Sequence, residues 1–247
     1  MSWVVEAFGP WYRTVYPHRS DEEAARLVRT LAGQVDLPGR RVLDVGCGAG
    51  RHLARLRDAG AVAIGLDLSP ALLEEAKRIR SETGVALVRA DMRKLPFADD
   101  RFDGITSLFT SFGYFSRDED RRILLEAARV LSPGGFHLLD FLNRDHVLAH
   151  PKPDSERLSS GWRVRERRSI EDSDRRVVKR VTVLPTEGET PVAEYEERVN
   201  LYGSEELRDL LGAAGLAVRG EWGEYDGAPF DPDRSSRHVF LSRKERG

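Results

Sequence analysis

The sequence predicts an α/β protein, a mostly parallel sheet wound with helices, that carries an antiparallel β insertion. Three observations lead to this. Between residues 41 and 141, short apolar runs alternate with helical patterns, the rhythm of βαβ units. A glycine-rich turn directly follows the first apolar run. From about Asn143 that rhythm gives way to long alternating stretches without helical spacing.

Each element has a local reason. Ser20-Asp21-Glu22-Glu23 is a capping box and opens a helix to about Gly33. Arg41 to Val45 is a short apolar run stopped by glycines, hence a buried strand. Residues 51 to 59 form a helix ending at Gly60, and Ala61 to Leu66 a second strand. Ser69-Pro70 supplies a cap and a first-turn proline for a helix to about Arg80. Val85 to Arg89 and Phe102 to Leu108 are the third and fourth strands. Ser116 to Glu119 is a second capping box, before a helix with Ile123, Leu124, Ala127, Val130 and Leu131 on its apolar face. Leu131 to Gly135 reads as a turn, and Phe136 to Phe141 as the fifth strand. Trp162–Ile170, Arg175–Leu184 and Val192–Leu201 read as three antiparallel strands. Ser204 to about Ala214 is a helix, and Leu216–Trp222 and His238–Ser242 are closing strands.

Composition narrows the function. The 247 residues carry 39 basic and 41 acidic side chains, net −2, which argues against nucleic acid as a partner. Residues 163 to 180 look basic, but between 160 and 200 nine basic residues meet nine acids, a balance that suits cross-strand pairs on a solvated sheet face. The opposite face of those strands is free to pack on the core, cover a pocket or meet a second copy as a homodimer contact. The single cysteine, Cys47, excludes an intramolecular disulfide and a cysteine-based zinc site, and no metal is expected. No apolar run approaches the ~18 residues of a membrane span, and Met1 to Pro10 lacks a signal-peptide pattern, so the expected compartment is the cytoplasm.

The chemistry concentrates in Val42-Leu43-Asp44-Val45-Gly46-Cys47-Gly48-Ala49-Gly50. Glycines after a buried strand let the backbone turn tightly against a ligand, and the next helix aims its free N–H groups there. The loop lacks the Gly-Lys-Ser/Thr of a P-loop. It also fails the dinucleotide pattern, because Arg51 stands where the third glycine belongs. Asp44 precedes the loop, Asp67 ends the second strand and Asp91 follows the third. All three acids thus fall at carboxyl ends of strands, where open α/β sheets bind ligands, and a carboxylate at Asp67 can accept ribose hydroxyls.

These segments, in this order, resemble the class I S-adenosylmethionine-dependent methyltransferases over about residues 36–142. Leu43 to Gly50 is similar to the family's first motif, Gly65-Leu66-Asp67-Leu68-Ser69 to its second and Ala90-Asp91-Met92 to its third. Phe102-Asp103-Gly104-Ile105 and Leu131-Ser132-Pro133-Gly134-Gly135 match its fourth strand and the turn before its fifth. The resemblance implies a Rossmann-like seven-stranded sheet with the last strand antiparallel. It implies S-adenosylmethionine bound along Asp44, Gly46, Cys47, Gly48 and Gly50, with Asp67 and Leu68 at the ribose, Asp91 and Met92 at the adenine, and Leu108 beside them. It divides the chain into a helical lid (1–35), a cofactor core (36–142), a β insertion serving as substrate cover or dimer contact (143–203) and a C-terminal part (204–247).

The acceptor is a separate question. The Asn/Asp-Pro-Pro-Tyr motif of amino-methylating nucleic-acid enzymes is replaced here by Ser107-Leu108-Phe109-Thr110-Ser111-Phe112-Gly113-Tyr114. The sole cysteine lies inside the glycine loop, which disfavours a cysteine nucleophile. The resemblance therefore points to a small-molecule acceptor, nitrogen or oxygen, with a tRNA or other macromolecular methyltransferase and a non-catalytic S-adenosylmethionine-binding module as alternatives. Transfer from a sulfonium is an in-line displacement with a neutral leaving group, so alignment is the main catalytic task. Tyr16, His18 and Tyr114 are candidate catalytic residues, and Arg19, Phe112, Tyr114 and Phe115 candidate substrate contacts. Tyr12 and Phe109 are further aromatic candidates for the methyl-transfer pocket.

Overall fold

The computed structural model describes residues 7–17, 21–152, 154–173 and 175–246, and only the backbone for 78–83. His18, Arg19 and the Ser20 cap lie outside the described residues. A seven-stranded sheet is built from β1 (Arg41–Val45), β2 (Val62–Asp67), β3 (Ala86–Arg89), β4 (Phe102–Ser107), β5 (Leu131–Leu142), β10 (Leu216–Trp222) and β11 (Arg237–Lys244), in the order β10-β11-β5-β4-β1-β2-β3. Only β11 runs against its neighbours, pairing antiparallel with both β5 and β10. The order reverses between β1 and β4, the switch point at which such sheets open a ligand crevice.

The named helices are α1 (Tyr12–Val15), α2 (Asp21–Ala32), α3 (Arg51–Asp58), α4 (Pro70–Thr83), α5 (Arg117–Val130), α6 (Arg144–Ala149) and α7 (Ser204–Ala213). Ser116 caps α5 in a full capping box with Glu119, and the Ser69 hydroxyl accepts the Leu72 N–H at the start of α4. The main core lies on both faces of the large sheet. Its largest fully buried rings are Phe112, Phe136, Phe141, Tyr202 and Phe240.

The insertion forms its own four-stranded antiparallel sheet, β6 (Ser155–Ser159), β7 (Trp162–Glu171), β8 (Arg176–Pro185) and β9 (Ala193–Asn200). Three strands are expected from sequence; β6 is the additional one. It is an edge strand whose Leu158 is 71% exposed, so it leaves no apolar alternation to read. The expected turn at 131–135 is also absorbed into β5, where Leu131 pairs with Phe102 across an irregularity in the ladder.

One face of the small sheet meets the N-terminal segment. Val15, Val164, Val181 and Val183 are fully buried there, beside Phe8, Trp11, Tyr16 and Trp162. Burying one such valine contributes roughly 1.5–3 kcal/mol, enough to hold a short segment over the sheet. The other face carries paired charges: Arg180 faces Glu196 across the ladder, and Arg163 and Arg165 share Glu156 and Glu189. The basic look of this stretch thus resolves into ion pairs.

Candidate active site

A cavity of about 570 Å³ opens at the carboxyl ends of β1, β2 and β4, within the ~300–1,000 Å³ usual for cofactor and ligand sites. One end is built by backbone. Gly46 has φ +74°, and a Cβ there would come within 2.6 Å of the Ser111 Cβ, so only glycine lets this loop close against the mouth of β4. Gly65 answers a different need: a Cβ would meet the Cys47 sulfur at 2.8 Å, so the strand beneath the loop must also be bare. Of the residues that the sequence suggests for the cofactor, Gly46, Cys47, Gly48, Asp67, Leu68, Asp91, Met92 and Leu108 line the cavity.

The acids differ in state. The Asp67 carboxylate accepts the Gly48 N–H and the Ser69 N–H, each at 2.8 Å, which fixes it between loop and helix. Burial nevertheless raises its pKa. Asp91 is clasped by Arg93 through three contacts of 2.6–3.1 Å, and this pairing lowers its pKa. Asp44 is 1% exposed and lies behind the lining with Gly50, which caps α3. One Asp44 oxygen accepts the Thr106 hydroxyl at 2.8 Å and the other has no hydrogen-bond partner. Burial, reinforced by Asp67, pushes its pKa up to about 7. The Cys47 thiol is likewise raised by burial, which keeps it protonated and unreactive.

The other end is built by side chains from distant segments. Phe8, Tyr12, Arg13 and Tyr16 from the N-terminal segment, Tyr114 from beyond β4 and Ser160 from the β6–β7 turn face the same space. The Phe8 ring lies 5.2 Å from Tyr114 and 5.9 Å from Tyr12, which lies 4.9 Å from Tyr16. Tyr16 donates its hydroxyl hydrogen to Glu197 and accepts a hydrogen bond from Lys179. Lys179 and Glu197 are directly opposed on β8 and β9 and 2.9 Å apart. Burial and then Glu197 raise the Tyr16 pKa well above that of a free phenol, so the ring stays protonated.

Placement differs from expectation at Asp44 and Gly50, which lie behind the lining, and at Phe112. Phe112 is 1% exposed and packs against Phe141 and Tyr202, so it belongs to the core and does not line the cavity. Phe115 lines the cavity but sits under the Arg93 guanidinium, 4.3 Å from it, which ties it to the Asp91 corner. Residues missed from sequence include Phe8, Arg13, Leu72, Glu75 and Ser111; no local motif marks them, because they become neighbours only through the fold.

Phe109 also lines the cavity, and its backbone is unusual. Phe109 and Thr110 have φ of +58° and +59°, left-handed geometry that costs a non-glycine residue roughly 1–3 kcal/mol. The Phe109 ring is covered by Arg51, 3.8 Å from its centroid. Among the described residues no cluster of three or more metal-ligating side chains occurs, and no helix is long and apolar enough to cross a membrane.

A family profile described as "Methyltransferase domain" matches residues 42–135, from β1 into β5. The cypemycin N-terminal methyltransferase of a Streptomyces species is 29% identical over 224 residues, 89% of this chain and 90% of that one. The chain belongs to the class I S-adenosylmethionine-dependent methyltransferases. An S-adenosylmethionine-dependent methyltransferase from Clostridium acetobutylicum superposes with a TM-score of 0.80 at 17% identity, over 96% of both chains, a likeness of fold. The S-adenosylmethionine-bound amino pentose methyltransferase CalS10 from Micromonospora echinaspora superposes with a TM-score of 0.69 at 25% identity, covering 96% of this chain and 97% of that one. Demethylmenaquinone methyltransferases match more narrowly, this chain spanning less than half of their length. The methyltransferase site accordingly has features fit for its methyl donor: a cradle at Gly46 that a Cβ would fill, and the unpartnered buried oxygen of Ser111 in the lining.

Proposed function

We propose that the chain methylates the nitrogen of a small-molecule amine, with S-adenosylmethionine as donor, by in-line displacement driven mainly by proximity. Bound S-adenosylmethionine supplies a methyl group on a cationic sulfur that leaves as a neutral thioether. In this reading Asp67 accepts hydrogens from the ribose hydroxyls, while Asp91, Met92 and Phe115 border the adenine. Gly46 and Gly48 let the backbone approach the methionyl part. Tyr16, Tyr114, Tyr12 and Phe8 form the acceptor wall, where ring faces favour a cationic group by about 0.5–2 kcal/mol.

One observation carries the choice of nitrogen. The acids and the phenol singled out above are already engaged: Asp67 by two backbone N–H groups, Asp91 by Arg93, and Tyr16 is held protonated; of the other lining acids, Glu75 pairs with Arg13 and Asp21 with Arg55. A free amine brings its own lone pair and needs no base, whereas an alcohol must lose a proton during attack. The relatives agree in kind, one being named for N-terminal methylation and one for an amino sugar.

The reading is tested by transfer of labelled methyl to matched amines and alcohols, including amino sugars and short peptides with free N-termini. Label should enter the amines. With the free amine itself as the titrating group, kcat/KM should rise tenfold per pH unit until the acceptor's own pKa. Label only in alcohols, or only in RNA, would contradict it.

A further inference from the structure

We infer that Asp140, on the strand beside the site, is a positioning residue that holds the strained Phe109-Thr110 turn and so shapes the methyl-donor pocket. It does not itself line the cavity. Its carboxylate is fully buried and takes four donors. One oxygen accepts Arg237 Nε at 2.8 Å and Nη2 at 2.6 Å; the other accepts the Phe109 N–H at 2.8 Å and the Tyr225 hydroxyl at 2.7 Å. Its backbone carbonyl accepts the Thr110 N–H at 3.2 Å, and Arg237 Nη1 donates to the Thr110 hydroxyl at 3.0 Å. Asp140 thus takes the amides of both left-handed residues, and its partner Arg237 takes the side chain of the second.

The consequence lies on the other side of the turn. Leu108, Phe109 and Ser111 line the cavity, and Ser111 packs so closely on Gly46 that the glycine has no room for a Cβ. The glycine loop and the 108–111 segment therefore form one surface. Left-handed geometry is disfavoured for a phenylalanine and more so for a β-branched threonine, so it persists only where surroundings impose it. Asp140 and Arg237 are those surroundings. The inference rests on this cavity being the donor site and is independent of which acceptor is used.

An amide at position 140 separates this role from ordinary stability. All four partners of the carboxylate donate, and Arg237 has no acceptor to offer. The amide nitrogen of Asp140→Asn must then face Phe109, whose N–H loses its partner. Calorimetry with S-adenosylmethionine should give a Kd about 10- to 30-fold weaker for folded Asp140→Asn. Adding Thr110→Gly, which takes a positive φ without strain, should recover at least threefold of that loss. Wild-type affinity in Asp140→Asn overturns the inference, and so does a loss that Thr110→Gly leaves untouched. If Asp140→Asn does not fold, Tyr225→Phe decides: a two- to fivefold weaker Kd is expected, and an unchanged one overturns it. Wild-type protein that binds the donor but methylates no amine counts against the amine reading alone.

Discussion

The two ends of the cavity are made differently. The donor end is backbone: the turn from β1 into α3, with φ +74° at Gly46, and amides that fasten Asp67. The acceptor end is side chain: Tyr16 meets Glu197 181 residues away and Lys179 163 residues away. A backbone cradle fixes a ligand common to a family, because a Cβ at Gly46 would run into Ser111 and force the loop open. A wall assembled from remote side chains can change rings and charges without disturbing the sheet. The difference also shows in how charge is kept. At the acceptor end Lys179 and Glu197 neutralise one another, whereas at the donor end Asp44 has an oxygen with no partner.

That contrast can be broken first at Asp44, where the largest effect is expected. Its pKa rises from 3.8 to about 7 in the fold. The folded state therefore prefers the protonated acid, and stability falls as pH climbs from about 4 to about 7. At 1.36 kcal/mol per pH unit this is on the order of 2–4 kcal/mol at pH 8. Urea melts of ligand-free Asp44→Asn should show this gain at pH 8, with a much smaller gain at pH 5. An equal gain at both would place the cause in packing rather than charge. Next is Asp67→Ala, which removes a charged acceptor from the ribose position. Losing two charge-assisted hydrogen bonds of roughly 1.5 kcal/mol each should weaken donor binding about a hundredfold by calorimetry. The smallest effect belongs to the other end. Tyr16→Phe keeps the ring and the Lys179–Glu197 pair but removes the hydroxyl, and should raise the acceptor KM about tenfold in steady-state assays.

The same contrast explains what was legible in the sequence. The glycine loop, Asp67, Asp91 and the Ser116 capping box are local features, and their spacing alone carries the geometry. The antiparallel last strand followed from the family resemblance, not from any local signal in His238 to Ser242. β6 leaves no mark in the sequence because an exposed edge strand needs no apolar alternation. Phe112 is hard to place for a related reason: five aromatic or flanking residues in a row, 111–115, give no sign of which rings turn inward. Here Phe112 went to the core with Phe141 and Tyr202, while Tyr114 went to the cavity. The left-handed pair Phe109-Thr110 was invisible, because what imposes it lies on other strands, at Asp140 and Arg237.

The most direct test is the crossed measurement of donor Kd and acceptor KM on Asp67→Ala and Tyr16→Phe together. The two-ended account predicts that Asp67→Ala weakens donor binding about a hundredfold, while Tyr16→Phe leaves it within twofold and moves the acceptor KM alone. Donor binding lost equally in both variants, or retained in Asp67→Ala, would contradict it.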